Sequence, residues 1–102
     1  MKTFINLTPH AVKLNSGVEF PASGTIARVT SSFTEFDADG VAKVVFGEVQ
    51  NLPEPAENTL YIVSALVLSA SKRADLVAPA TGHPDAVRNE KGQIVSVPGF
   101  VR

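Results

Sequence analysis

"TLYIVSALVLSASKR", residues 59–73, decides the fold. Its first part, Thr59 to Ser64, is rich in β-formers and apolar on both faces, the pattern of a central strand. At Ser64 the period changes. Ser64 is a good N-cap, Leu66, Val67 and Ala70 would share an apolar helix face, and Lys72 and Arg73 would sit at the favourable C-terminal end. One short helix is therefore expected near residues 64–73. A strand running straight on to Leu68 is the competing reading.

Working outward, most other segments read as strands. "TFINL" (3–7) is a short first strand ended by "TPH", and "AVKLN" (11–15) alternates apolar and polar positions. Ser16-Gly17 is a tight turn into "VEFP", where Pro21 ends the strand because it offers no ladder donor. In "TIARVT" (25–30), Ile26 and Arg28 share one face and Ala27 and Val29 the other, so Arg28 is expected to point inward with Ile26. "DADG" (37–40) is a turn, and "VAKVVFGEV" (41–49) is the longest strand with Gly47 a candidate bulge. "NLPEPAEN" and "APATGHPD" read as loops. "AVRN-EKG-QIVSV" (86–97) closes as a hairpin. The expectation is a mainly β domain (α+β), a small barrel or sandwich of about seven or eight strands, with residues 1–102 forming one domain.

Composition narrows the function classes. The chain has 102 residues, 44% hydrophobic and 19% charged, which suits a globular core and not a disordered tail. It has no cysteine, which removes disulfides and thiol-based metal or redox chemistry. The first dozen residues lack the apolar core of a secretory signal, and "LYIVSALVLSA" is too short to span a bilayer. These features point to a soluble, cytoplasmic protein with no membrane role. A net charge of −1 argues against bulk nucleic-acid binding. The charges are uneven, however. Residues 1–71 hold four Lys/Arg against seven Asp/Glu, and residues 72–102 hold five against three, which would support a local anion site.

Recognisable catalytic machinery is sparse. There is no HExxH, GxSxG, P-loop or GxGxxG, and "DADG" lacks the further ligands of a calcium loop. No metal site and no cofactor is expected. His10, in "NLTPHAV", reads either as a general base, metal ligand or polar contact, or as a strand-start residue satisfied by backbone; His83 is a loop histidine. The cations are the better candidates. Arg28, Arg73, Arg88 and Lys91 suit phosphate or carboxylate, with Asn89, Gln93 and His10 as polar contacts to a base or ribose. Each also has a structural reading: Arg73 at a helix end, Lys91 solvating a turn. Phe100 and Tyr61 are either stacking faces or core.

Taken together, "INLTPHAV", "FGEVQNLPEP", "LYIVSALV" and "VRNEKGQIVSVPGF" resemble a family of small proteins of phages and prophages, mostly uncharacterised. Its members combine an NLTPH opening, an FGEV-x-x-LPxP segment, YIVSALV and an R-[ND]-EKGQIV close. The resemblance covers nearly the whole chain and implies action in the cytoplasm of a bacterial host. By analogy with small phage proteins that counter host defence, it suggests a sponge. Such a homo-oligomer would sequester a phosphorylated nucleotide signal of bacterial immunity, a cyclic ADP-ribose or cyclic oligonucleotide, without turnover. The alternatives are an enzyme that cleaves a nucleotide with His10 or His83, and a protein-interaction or virion-accessory protein.

Overall fold

The computed structural model describes residues 2–71 and 73–102. Ten short strands and one helix follow in order. They are β1 (Thr3–Asn6), β2 (Val12–Lys13), β3 (Glu19–Phe20), β4 (Arg28–Phe33), β5 (Val44–Gln50), β6 (Thr59–Ile62), α1 (Ala65–Ala70), β7 (Leu76–Pro79), β8 (Val87–Arg88), β9 (Ile94–Ser96) and β10 (Phe100–Val101). Mainly β with one short helix is the fold class expected from the sequence. The architecture is layered, without a closed barrel among the described pairings. A four-stranded sheet in the order β1-β6-β7-β10 is accompanied by three two-stranded ribbons, β2-β3, β4-β5 and β8-β9.

The central sheet is mixed. β6 pairs in parallel with both β1 and β7, whereas β10 runs antiparallel to β7. A parallel neighbour needs a crossover connection, and α1 supplies it between β6 and β7. Ser64 caps α1 by accepting the N–H of Val67 on its hydroxyl at 3.3 Å. Of the expected Leu66, Val67 and Ala70 face, the helix buries Val67; Leu68 is half-buried, and Leu66 and Ala70 are exposed, because Val67 packs with Val63 and Leu76 in the core cluster. Lys72 lies outside the described residues.

Both faces of the sheet are covered, which explains the continuous apolar run of β6. Tyr61 and Val63 join Leu7, Ala27, Val67 and Leu76 beneath α1 and the base of β4-β5. Ile62 joins Val12, Val77 and Val97 on the other side, ringed by Phe4, Phe20 and Phe100. Those three phenylalanines pack with centroids 5.1 to 5.7 Å apart. Phe100 is thus core, and so is Tyr61, whose hydroxyl donates to the Glu54 carbonyl at 3.0 Å. Neither is a free stacking face.

Two strands depart from the sequence reading. β7 overlaps the start of the expected "APATGHPD" loop, and β10 was not anticipated. Arg28 is also corrected: Ala27 and Val29 take the core side, so Arg28 is exposed.

The β4-β5 ribbon contains the expected bulge. Val29 pairs with Val49 but Ser31 with Phe46, so β5 carries one extra residue at Gly47–Glu48 opposite Thr30. A Cβ on Gly47 would collide with Thr30 Oγ1, the hydroxyl that donates to the Glu48 carbonyl. Gly47→Ala should therefore cost about 1–2 kcal/mol by overpacking. Thermal melts of Gly47→Ala, Thr30→Ala and the double variant check this; the double should be more stable than the two single costs predict.

Candidate functional site

The site begins with a buried asparagine. Asn6, the last residue of β1, is 2% exposed. Its Nδ2 donates to the His10 carbonyl at 2.8 Å and the Phe20 carbonyl at 3.0 Å. Its Oδ1 accepts the Thr8 N–H at 2.9 Å, and the Thr8 hydroxyl lies 2.6 Å from the same oxygen. Every polar atom of the amide is thus used, and the Thr8–Pro9–His10 turn is held in one shape. The chain then enters β2, placing Val12 in the core and Lys13 outward.

A distant segment supplies the facing wall. The Val97 N–H donates to the Lys13 carbonyl at 3.0 Å, and the Asn15 N–H donates to the Val97 carbonyl at 2.8 Å. Asn15 Oδ1 accepts the Ser96 hydroxyl at 2.6 Å, and its Nδ2 donates to the Asp85 carbonyl at 2.9 Å. Between these walls lies a groove of about 330 Å³. Val12, Pro79, Ile94, Val95 and Val97 give it apolar surface, and Thr8, His10, Lys13, Thr81 and Ser96 give it polar groups. Among the described residues no protein group hydrogen-bonds the His10 ring.

Arg88 stands beside this groove. It is paired across the β8-β9 ribbon with Ile94, a groove residue. Its Nη1 donates to the Gly92 carbonyl at 2.9 Å and its Nη2 to the Thr81 carbonyl at 3.1 Å. The guanidinium therefore pins the closing turn to the Thr81 loop and remains exposed. The turn itself accounts for the other hairpin candidates. Asn89 Oδ1 accepts the N–H groups of Lys91 and Gln93, and its Nδ2 donates to Gln93 Oε1 at 3.1 Å. Gly92 takes a positive φ of 78°, as this turn requires. Asn89, Lys91 and Gln93 line only a shallow depression at the ribbon's tip.

The remaining candidates lie elsewhere. Arg73 forms a bidentate pair with Asp75, with Nε to Oδ1 at 2.9 Å, donates to the Pro53 carbonyl at 2.8 Å, and stacks over the Tyr61 ring. This hydrogen-bonded pair holds the Asp75 carboxyl below its ordinary value and raises Arg73, in both cases against partial burial. A depressed carboxyl stabilises the fold above its unfolded value, and that contribution disappears as pH falls through the folded one. Asp75→Asn should cost about 2 kcal/mol at neutral pH. Urea titrations from pH 7 down into the acid range should then show the gap to wild type closing below about pH 4. Arg28 is exposed at the base of β4-β5, and neither it nor Arg73 lines the groove.

His83 belongs to its own loop. Its Nδ1 accepts the Asp85 N–H at 3.0 Å, and the Asp85 carboxylate lies 3.9 Å from the same nitrogen.

Comparison with protein-family models, characterised proteins and solved structures gives no match.

Of the seven sequence candidates, then, His10 lines the groove and Arg88 borders it. Thr8, Lys13, Thr81, Ile94 and Val95 were missed. They carry no motif, and about seventy residues separate the two walls. Among the described residues there is no cluster of three potential metal ligands. No described helix is long and apolar enough to cross a membrane.

Proposed function

We propose that this chain is a small homo-oligomeric binding protein of phage type that holds a phosphorylated nucleotide signal of bacterial immunity without turning it over. The single observation that carries the reading is the groove, where an apolar floor meets hydroxyls, an imidazole and the Lys13 ammonium, with the Arg88 guanidinium at its border. An apolar floor suits a base or ribose face, and the cations suit phosphate oxygens. At about 330 Å³ the groove lies near the lower end of small-molecule pockets, room for one nucleotide unit. A cyclic oligonucleotide would extend along the Thr81–Arg88 border or onto a second copy.

Calorimetry against a panel of ADP-ribose derivatives and cyclic nucleotides tests the reading. A Kd below about 10 μM is expected for at least one member, with a tenfold or greater loss in Lys13→Ala. No binding at that level across the panel overturns it. Ligand recovered intact after heat release separates sequestration from cleavage by His10.

A further inference from the structure

The β8-β9 ribbon supplies one wall of the groove, and the way it is held gives Arg88 a specific role. Val87 pairs with Ser96 and Arg88 with Ile94, so β9 carries one extra residue, Val95, at this point. In a regular strand Ile94 and Val95 would face opposite sides. A bulge re-aims the inserted residue, and here both line the groove. The wall exists only while the ribbon keeps its bulge and its place against the rest of the fold.

One end of the ribbon is well anchored. At its base the Ser96 hydroxyl donates to Asn15 Oδ1, the Val97 N–H donates to the Lys13 carbonyl, and the Val97 carbonyl accepts the Asn15 N–H. Toward the tip these ties run out. The hydrogen bonds among Asn89, Lys91, Gly92 and Gln93 all stay inside the turn. Among the described residues, a single hydrogen bond joins residues 87–95 to the chain outside the ribbon, from Arg88 Nη2 to the Thr81 carbonyl at 3.1 Å. Apolar cover is thin there too, since Val87, Ile94 and Val95 are exposed. The same guanidinium donates through Nη1 to the Gly92 carbonyl at 2.9 Å. Thr81 itself lines the groove, so one side chain ties the ribbon tip to a groove residue on another loop.

We propose that Arg88 is the positioning residue of the groove: it latches the free half of the ribbon to the Thr81 loop and so fixes the gap between Ile94–Val95 and the facing residues 8–13. This assignment rests on the groove being the nucleotide site. Lys13, on the facing wall, supplies the direct phosphate contact, whereas Arg88 acts through the wall it holds. Arginine is needed because one planar fork spans two carbonyls at once. A lysine ammonium there keeps the charge and loses that geometry. A site held about 1 Å too loosely loses its contacts even with every residue present.

Two measurements test the proposal. The chain has no cysteine, so Glu19→Cys/Glu90→Cys takes one spin label on β3, beside β2, and one on the ribbon tip. Without nucleotide, the distance between labels should be narrowly distributed, and its spread should about double when Arg88→Lys or Arg88→Ala is added. Melting temperature should stay within about 2 °C of wild type, which separates a latch from a general loss of fold. Calorimetry with ADP-ribose should then give a Kd at least tenfold weaker in Arg88→Lys as well as in Arg88→Ala. An unchanged label distribution overturns the latch. A lysine variant that binds ADP-ribose like wild type also overturns it, because charge alone would then suffice. Should wild type take up no ADP-ribose, the label distances decide, so a failure of the latch is distinct from a failure of the groove to bind nucleotide.

Discussion

Asn6→Ala lowers stability by about 3 kcal/mol and abolishes the groove, although Asn6 does not line it. The amide satisfies two carbonyls and the Thr8 N–H inside the fold. Alanine leaves the Phe20 carbonyl and the Thr8 N–H without this partner, at about 1–3 kcal/mol for each that water cannot reach, while the His10 carbonyl keeps the Thr8 hydroxyl at 2.9 Å. The Thr8–His10 turn then loses its side-chain anchor to β1, and two groove residues lose their placement. Asn6→Asp sharpens the test. It keeps an acceptor for Thr8 but turns a second oxygen toward the His10 and Phe20 carbonyls. That arrangement disfavours the ionised form and raises the folded-state value of the new carboxyl. The variant should therefore approach wild type in acid and lose stability as pH rises, the opposite sense to the Asp75 carboxyl. With no tryptophan in the chain, urea titrations followed by far-ultraviolet circular dichroism provide the measurement.

Leu76→Ala should cost about 3–4 kcal/mol, a large part of the 5–15 kcal/mol that holds a typical domain together. Leu76 is fully buried at the start of β7, against Tyr61, Val63 and Val67. It is the point at which the crossover helix, β6 and β7 meet, so the cavity cannot close without moving the helix. In urea the midpoint should fall while the slope stays constant, showing lost stability without a change of state. Leu66→Ala is the control. That leucine is 48% exposed on the outer side of α1 and should change stability by less than about 0.5 kcal/mol. The contrast tests which side of the helix is buried.

The legible and illegible parts of this fold divide along physical lines. The β6-α1 unit could be read because one short stretch holds both signals: apolarity on two faces, then a capping serine and a change of period. The β2-β3 and β8-β9 ribbons could be read from local turn chemistry. β7 was hidden because its four residues are buried on both sides, show no alternation and end in Pro79 beside turn-forming residues. The parity error at Arg28 came from giving the larger Ile26 the inner face, whereas Ala27 fits under the helix and Val29 follows it. The groove had no local signature. Its residue types are ordinary, and their relation exists only once β2 lies beside Val97. Among the cations, Arg88 was legible as a strand residue, while the Arg73 partnership with Asp75 lay only two residues away and left no pattern in the sequence.

The bridge between Asn15 and Ser96 spans 81 positions of sequence, and the groove opens on either side of it. Contacts of that separation form late, because the intervening chain must surrender its freedom before they return any free energy. The groove is therefore completed late. During synthesis, residues 8–13 leave the ribosome several seconds before their partner wall is made. It would form in one step, when β9 docks against β2.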